Sequence, residues 1–285
     1  MEWALSTGGL RQIKGPLQDN YLEKMFGKIQ FTRLYFGQEF CEKLIPAAED
    51  ITGALEWCSK HNMEFTLVTP YVTEEGIKKL TPLFKAISRN RCEVVANDWG
   101  VLYLLRKQFP RLVPVMGRLL NKAIRDPRIN QFHKDSSADS SDFFRRSSAS
   151  SPYLKSLLNI LKVARVETDN LPQGIDDSLA GTGLEVSLYI PYGFISTGRI
   201  CLSGSWGLRQ GAKFLSSGAC SRLCRHYLIE MCDRSGRVES RNPDWEVFQK
   251  GNTVFYRQSE AFVCRALEKA RTLGFSRVIY QPEPL

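Results

Sequence analysis

Four cysteines are the residues of this chain best suited to chemistry: Cys41, Cys201, Cys220 and Cys224. The last two are spaced Cys-x-x-x-Cys, which places both thiols on one face of a helix. Thiolates gathered in this way usually hold a metal, and an iron–sulfur cluster fits them best. A structural zinc site stays open as the second choice, since such sites favour two close cysteine pairs and this chain has only one.

The segment around the later cysteines favours an anionic cofactor. Between Cys201 and His226 it contains Arg209, Lys213, Arg222 and Arg225 and no Asp or Glu. Because a cluster bound by four thiolates is anionic, a basic surround offsets its charge and raises its reduction potential. Ser216, Ser217 and Gly218 predict a helix start just before Cys220, whose positive dipole end favours thiolate over thiol.

The other four cysteines have a simpler interpretation. Cys58, Cys92, Cys232 and Cys264 lie in apolar or helical patterns that are typical of core packing. For Cys220 and Cys224 taken alone, spacing by chance on a buried face is also open.

Composition limits the class of protein. A chain of 285 residues with 43% hydrophobic content can bury a barrel-sized core or two smaller ones. No apolar stretch approaches the roughly 20 residues that span a bilayer, and the N-terminus lacks a signal-peptide layout. We therefore expect a cytoplasmic protein whose cysteines are reduced. The net charge of +9 indicates an anionic partner, such as RNA, a phosphorylated metabolite or an acidic protein, or simply a solvated surface.

Short β-branched or aromatic runs alternate with amphipathic helical stretches along the chain, which predicts a single (β/α)8 TIM-type barrel domain over 1–285. The strand-like runs are Thr32–Gly37, Glu64–Thr69, Glu93–Asn97, Leu112–Gly117, Val163–Thr168, Leu184–Ile190, Thr253–Gln258 and Ser276–Gln281. The run Thr253–Gln258 is expected to form an extra hairpin outside the barrel, with the N-terminal segment supplying the missing strand.

One segment interrupts this alternation. The serine-rich stretch at 133–152 cannot bury enough apolar area to offset the entropy of ordering. We predict a flexible surface insertion within the barrel domain.

The barrel interpretation brings the cysteines together, because working residues of this fold lie just past the carboxyl ends of the strands. Cys41 follows the first strand-like run, and Cys201 follows the run Leu184–Ile190. Other polar residues at strand ends are weaker pocket candidates, namely Asp98, Arg118, Glu167 and Asp169. Each of these is alternatively a helix cap or an ion-pair partner.

The chain resembles a known family through "RLYFGQEFCEK", "LEVSLYIPYGFISTGRICLSG", "GACSRLCRHY" and "VFQKGNTVFYRQ". These motifs look like the collagenase-like U32 peptidase family, and within it the UbiV-like single-domain iron–sulfur branch. The resemblance implies a [4Fe-4S] cluster held by Cys41, Cys201, Cys220 and Cys224. It also implies oxygen-independent hydroxylation, either of a ubiquinone precursor in a complex with a homologous larger subunit, or of bases in transfer and ribosomal RNA.

Peptidase activity is not expected despite the family name. The chain offers only His61, His133 and His226 as bases, and it has no His-Glu-x-x-His or Gly-x-Ser-x-Gly motif. Two hypotheses remain. The first is a redox enzyme or subunit acting on a small aromatic or quinone-type substrate. The second is an RNA-modifying or RNA-binding barrel in which a metal is structural.

Overall fold

The computed structural model describes residues 1–13, 20–126, 129, 138–213, 220–231 and 243–284. Its centre is a closed barrel of eight parallel strands. These strands are β1 (Glu2–Thr7), β2 (Arg33–Gly37), β3 (Glu64–Thr69), β4 (Glu93–Ala96), β5 (Val113–Met116), β6 (Arg165–Asp169), β7 (Glu185–Ile190) and β12 (Arg277–Tyr280). Neighbours follow the chain from β1 to β7, and β12 closes the barrel between β7 and β1. The predicted barrel is confirmed, and the N-terminal segment supplies its first strand.

The strands are buried on both faces, which explains their nearly continuous apolar runs in the sequence. One set of side chains fills the barrel interior: Ala4, Tyr35, Val68, Val95, Val115, Tyr189 and Ile279. The alternate side chains, such as Leu34 and Leu67, point outward and join the larger core beneath the helices.

The helices around the barrel are α1 (Leu10–Ile13), α2 (Asn20–Phe26), α3 (Ala48–His61), α4 (Glu74–Ile87), α5 (Trp99–Gln108), α6 (Ala138–Arg145), α7 (Pro152–Ile160) and α8 (Glu260–Thr272). The connection from β6 to β7 departs from the regular pattern, because its regular element is the 3-10 helix Asp177–Thr182. None of the helices among the described residues is long and apolar enough to cross a bilayer.

A second, antiparallel sheet is inserted between β7 and α8. It contains β8 (Tyr192–Thr197), β9 (Ile229–Glu230), β10 (Trp245–Lys250) and β11 (Thr253–Gln258), in the order β8-β11-β10-β9. The hairpin predicted outside the barrel is therefore present as β10 and β11. Aromatic rings of this sheet pack on Phe40 and Leu119, which follow barrel strands β2 and β5. The sheet thus covers part of the carboxyl-terminal mouth of the barrel.

The opposite end of the barrel is closed by charged side chains. Arg277 donates to Glu2 at 2.5 Å and to Glu93 at 2.6 Å, and Arg33 donates to Glu2 at 2.8 Å. Burial opposes ionisation of Glu2 and Glu93, but the two arginines hold the pKa of both carboxyls below the usual value. This network joins β1, β2, β4 and β12.

The serine-rich insertion is described from residue 138 onward, and 133–137 lie outside the described residues. Residues 138–145 form α6. The backbone N–H of Ser147 donates to Asp176 at 2.7 Å, and that of Ala149 donates to Asn121 at 3.2 Å. The described part of the insertion is therefore tied to the barrel, while its flexibility stays a prediction.

Candidate metal centre at the barrel mouth

Cys41 lies in the loop after β2, four residues beyond Gly37, at the carboxyl end of the barrel. The ring of the preceding residue, Phe40, packs edge-on against Phe194 of β8 and Phe255 of β11, with ring centroids 5.4 and 5.1 Å apart. This aromatic contact attaches the Cys41 loop to the second sheet. Cys41 therefore faces the loops that follow β8.

Those loops bring Cys201, Cys220 and Cys224 together. A methyl group at Gly204 would lie 3.4 Å from the Cys201 Sγ and 3.8 Å from the Cys220 Sγ. A methyl group at Gly251 would lie 3.6 Å from the Cys224 Sγ and 3.8 Å from the Cys201 Sγ. The three sulfur atoms therefore lie close to Gly204 and Gly251, and a larger side chain at either position would crowd the sulfurs.

All four predicted cysteines line a single cavity of about 560 Å³. Burial raises the pKa of the Cys41 thiol to about 11, against a backbone hydrogen bond from Lys43, and the charges of the other three thiolates add to the rise. The structure thus brings together thiols that the sequence separates by up to 183 positions. Within the described residues, however, no group of three or more His, Cys, Asp or Glu side chains is arranged to hold a metal ion.

Backbone donors point at two of the sulfurs. The N–H of Gly204 donates to the Cys201 Sγ at 3.2 Å, and the N–H of Arg222 donates to the Cys220 Sγ at 3.4 Å. Such bonds stabilise thiolates and are among the features that set the potential of an iron–sulfur cluster. The donor set is therefore chemically suited to iron–sulfur ligation.

The helix predicted to carry Cys220 and Cys224 does not form in the described segment. Residues 220–222 are irregular, Arg222 has a left-handed backbone with φ of 57°, and 223–225 is one 3-10 turn. The predicted start at Ser216, Ser217 and Gly218 lies outside the described residues. The two thiols line the same cavity because the chain bends at Arg222, not because they share a helix face.

Asn252, in the turn between β10 and β11, acts as a clasp that the sequence did not reveal. Its Nδ2 donates to the carbonyl of Phe40 at 2.7 Å and to the carbonyl of Gly198 at 2.6 Å. Tyr71 donates its hydroxyl to the same Gly198 carbonyl. Asn252 thus fixes the residue before Cys41 to the end of the strand that leads to Cys201. The Gly-Asn pair in a hairpin turn was the available signal.

Arg118 lies in a fully buried ionic network beside the mouth. Its guanidinium donates to both oxygens of Glu39, at 2.9 and 2.6 Å, and to Asp169 at 2.5 Å. It also donates to the backbone of Tyr192 and to Gln281. Arg118 is not among the residues that line the cysteine cavity. Its contacts join the loop that carries Cys41 to strands β6 and β8 and to Gln281, the residue that follows β12.

The remaining pocket candidates also lie away from the cavity lining. Asp98 caps α5, accepting the N–H groups of Gly100 at 2.7 Å and Val101 at 3.2 Å. Asp169 pairs with Arg118 and Arg125. Glu167 is buried inside the barrel, where the Tyr189 hydroxyl donates to it at 3.0 Å. A pocket role for Asp98, Arg118 and Glu167 stays a prediction.

The cysteines assigned to packing take different positions. Cys58 and Cys92 are buried in the core beneath the helices, and Cys264 is partly buried on α8. Cys232 lies outside the described residues. None of the three described thiols lines the cavity.

The cavity lining is more basic than acidic. Its charged side chains are Lys43, Arg199, Lys213, Arg225 and Lys250 against Asp50 and Glu283. Burial lowers the pKa of Lys250, whose Nζ donates to the carbonyl of Pro284 at 2.5 Å. Apolar side chains, including Leu10, Phe40, Leu44 and Leu208, complete the wall. The cavity can therefore hold an anionic group and an apolar ring side by side.

Comparison with solved structures finds a distant likeness. The neighbour is described as the structure of the U32 peptidase Mk0906, and its sequence is 8% identical to this one. The match covers 100% of this chain and 94% of that chain, with a TM-score of 0.44. A likeness of this size determines neither a family nor an activity. No family model matches the chain, and no curated protein matches it either.

Proposed function

We propose that this chain binds an iron–sulfur cluster at the mouth of its barrel and takes part in oxygen-independent hydroxylation of an aromatic ring. One observation carries the proposal: Cys41, from the loop after β2, lines one cavity with Cys201, Cys220 and Cys224, which lie between β8 and β9. The sequence motifs that resemble the UbiV-like branch supply the reaction type and suggest a homologous larger subunit as partner. A cytoplasmic location, where thiols stay reduced, belongs to the same proposal.

The four thiols would hold a [4Fe-4S] cluster, which supplies one-electron chemistry when bound. The backbone N–H groups of Gly204 and Arg222 donate hydrogen bonds to the Cys201 and Cys220 sulfurs. Burial and the charges of Cys201 and Cys220 raise the pKa of the Cys224 thiol, and the positive charge of Lys250 partly offsets that rise. These features of the chain favour an anionic cofactor over a neutral one.

The rest of the cavity would bind and orient the substrate. The whole cavity, with a volume of about 560 Å³, lies within the usual range for small-molecule sites, about 300–1,000 Å³. Phe40 and Leu44 offer an apolar surface for a ring, and Lys43 and Arg199 offer positive charge for an acidic substituent. A small aromatic acid or quinone precursor matches this combination.

The cofactor is tested by oxygen-free isolation followed by iron and sulfide analysis. We expect a brown protein with about four irons per chain. The double variant Cys220→Ala, Cys224→Ala should lose nearly all of the iron. The matched control Cys264→Ala removes a thiol outside the cavity and should keep the full load. A colourless protein containing zinc, or a double variant with its iron intact, would contradict the proposal.

The substrate class is tested in cells that lack this chain and grow without oxygen. Mass spectrometry should show quinone precursors that are missing one hydroxyl oxygen. If the quinone precursors are normal and nucleosides of transfer or ribosomal RNA lack a hydroxyl group instead, the RNA-modifying alternative is correct. Normal hydroxylation of both the quinone precursors and the RNA nucleosides would refute the hydroxylation proposal, and the cofactor result would still stand.

A further inference from the structure

The loops that carry the later cysteines expose an unusual amount of apolar surface. We define the loop face as the described residues 199–213 and 220–231. It carries seven of the fifteen large hydrophobic side chains that are exposed among the described residues, so the exposure is concentrated and not scattered. Its main apolar members are Ile200, Leu202, Trp206, Leu208, Tyr227 and Leu228. Exposed apolar surface gathered in this way usually marks a site of association.

Both parts of the loop face belong to one surface. The 3-10 turns at 203–205 and 223–225 pack against each other. Trp206 follows the first turn and is 69% exposed, and Leu228 follows the second and is 59% exposed. Cys201 and Cys220 are partly exposed, and their Sγ atoms lie within 3.8 Å of a Cβ built at Gly204 in the first turn, while the buried Cys224 lies in the second turn. A partner that covers this face would come close to the thiols.

The charge around the apolar residues is mostly positive. The loop face contains the exposed basic residues Arg199, Arg209, Lys213, Arg222 and Arg225. Glu230 is the one acidic residue in its described part. Charges at the rim of an interface select the partner and speed its approach, so this rim favours an acidic partner.

The apolar residues distinguish a protein from a nucleic acid. Sites for single-stranded RNA use aromatic rings on which bases stack. Four of the six main apolar residues are aliphatic, namely Ile200, Leu202, Leu208 and Leu228, and these cannot stack on bases. An apolar centre with a charged rim is instead the usual anatomy of a protein interface.

We propose that the loop face is the docking site for an acidic electron-carrier protein. The inference rests on the proposed cluster, because the thiols that would hold it lie within this face. Redox encounters are typically small and transient, with less than about 1,200 Å² buried. A few exposed apolar side chains with a basic rim suit such an interface.

The test measures binding of a purified acidic plant-type ferredoxin to the anaerobically isolated chain, at several salt concentrations. We expect saturable binding that weakens as salt rises. Trp206→Ser should weaken binding about tenfold, as loss of an interface anchor does. Arg209→Glu should weaken it by a similar factor and flatten its salt dependence. Arg106→Glu on α5 and Tyr153→Ser on α7 change matched exposed residues elsewhere and should bind as the parent does.

Iron content, measured on every sample, separates the two proposals. Absence of salt-dependent binding, or equal binding by the Trp206, Arg209 and control variants, overturns the docking site even when the iron load is full. Tenfold weaker binding of a single-stranded RNA oligonucleotide to Trp206→Ser, with no effect on ferredoxin, also overturns it. Selective loss of ferredoxin binding supports docking. A chain without iron refutes the proposed cofactor whatever its binding.

Discussion

Glu167 has the most unusual environment of any single carboxyl described. It is buried in the barrel, and its Oε1 has no hydrogen-bond partner among the described residues. Burial, reinforced by the negative charge of Glu39, raises the pKa of Glu167 from 4.5 to about 8. The folded state therefore holds a proton that the unfolded chain releases at neutral pH, and this lowers stability as pH rises.

Glu167→Gln should remove this pH-dependent loss of stability, because an amide does not ionise. The amide oxygen can still accept the hydrogen bond from the Tyr189 hydroxyl. We expect little difference in melting temperature near pH 4.5, and a variant that is increasingly more stable than the parent up to about pH 8. Each kcal/mol corresponds to about 2–4 °C in a chain of this size class. Thermal melts across this range make the measurement, with the exposed Glu268→Gln as control. A difference that does not change with pH would refute the prediction.

Gly251 shows how little room the thiols leave. Its φ is +61°, and an added Cβ would lie 3.2 Å from the Cys224 Cβ. Gly251→Ala should therefore displace Cys224 and lower the iron content after oxygen-free isolation. Gly207, between β8 and β9, also has a positive φ, +77°, but no atom lies within 4 Å of a built Cβ, so Gly207→Ala is the matched control. Equal iron in the two variants would show that the crowding has no consequence.

At the scale of elements, the cavity depends on holding the second sheet against the barrel mouth. Three kinds of contact do this: the aromatic cluster around Phe40, the ionic network of Arg118, and the amide of Asn252. The clasp at Asn252 joins residues 212 positions apart in the chain. The cysteine loops can face Cys41 only while these contacts persist.

Asn252→Ala should weaken that attachment. It removes donors to two backbone carbonyls, a loss of roughly 1–3 kcal/mol in unfolding free energy. We expect partial loss of iron together with this lower stability, measured by urea unfolding and metal analysis. Asn159→Ala, at an exposed site on α7, should change neither quantity. Full iron retention in Asn252→Ala would show that the clasp does not position Cys41.

At the scale of the whole molecule, the barrel is closed by β1 and β12 from opposite ends of the chain. The charged network of Glu2, Arg33, Glu93 and Arg277 lies at this seam. Because the pKa values of Glu2 and Glu93 are lowered in the folded state, the network stabilises the barrel above about pH 4.5. That contribution is lost as pH falls through the folded-state values.

Arg277→Met should leave two carboxylates without their main partner. Removing one member of a buried ion pair typically costs about 3–5 kcal/mol at neutral pH. We also expect the variant to lose less stability than the parent between pH 6 and 3, because part of the acid-sensitive contribution is already gone. Urea unfolding at several pH values measures both effects, with the exposed Arg271→Met as control. An unchanged acid dependence would contradict this account.

The sequence alone determined the barrel, because strands buried on both faces must be apolar and β-branched over their whole length. Runs such as Glu64–Thr69 and Leu184–Ile190 carry that pattern locally, and the structure forms strands there. The sequence also singled out the four cysteines by type and spacing. It did not reveal β8 as a strand, and it predicted a helix at Cys220 where the chain bends instead.

Only the tertiary structure decided what surrounds those thiols. The partners of Arg118 are 51 to 163 positions away in the chain, and no local pattern encodes such pairings. Likewise, Asp98 and Arg118 look alike as polar residues at strand ends, yet one caps a helix and the other is sealed in an ionic network. Local pattern fixes which segments become strands, whereas long-range packing fixes which side chains face the cavity.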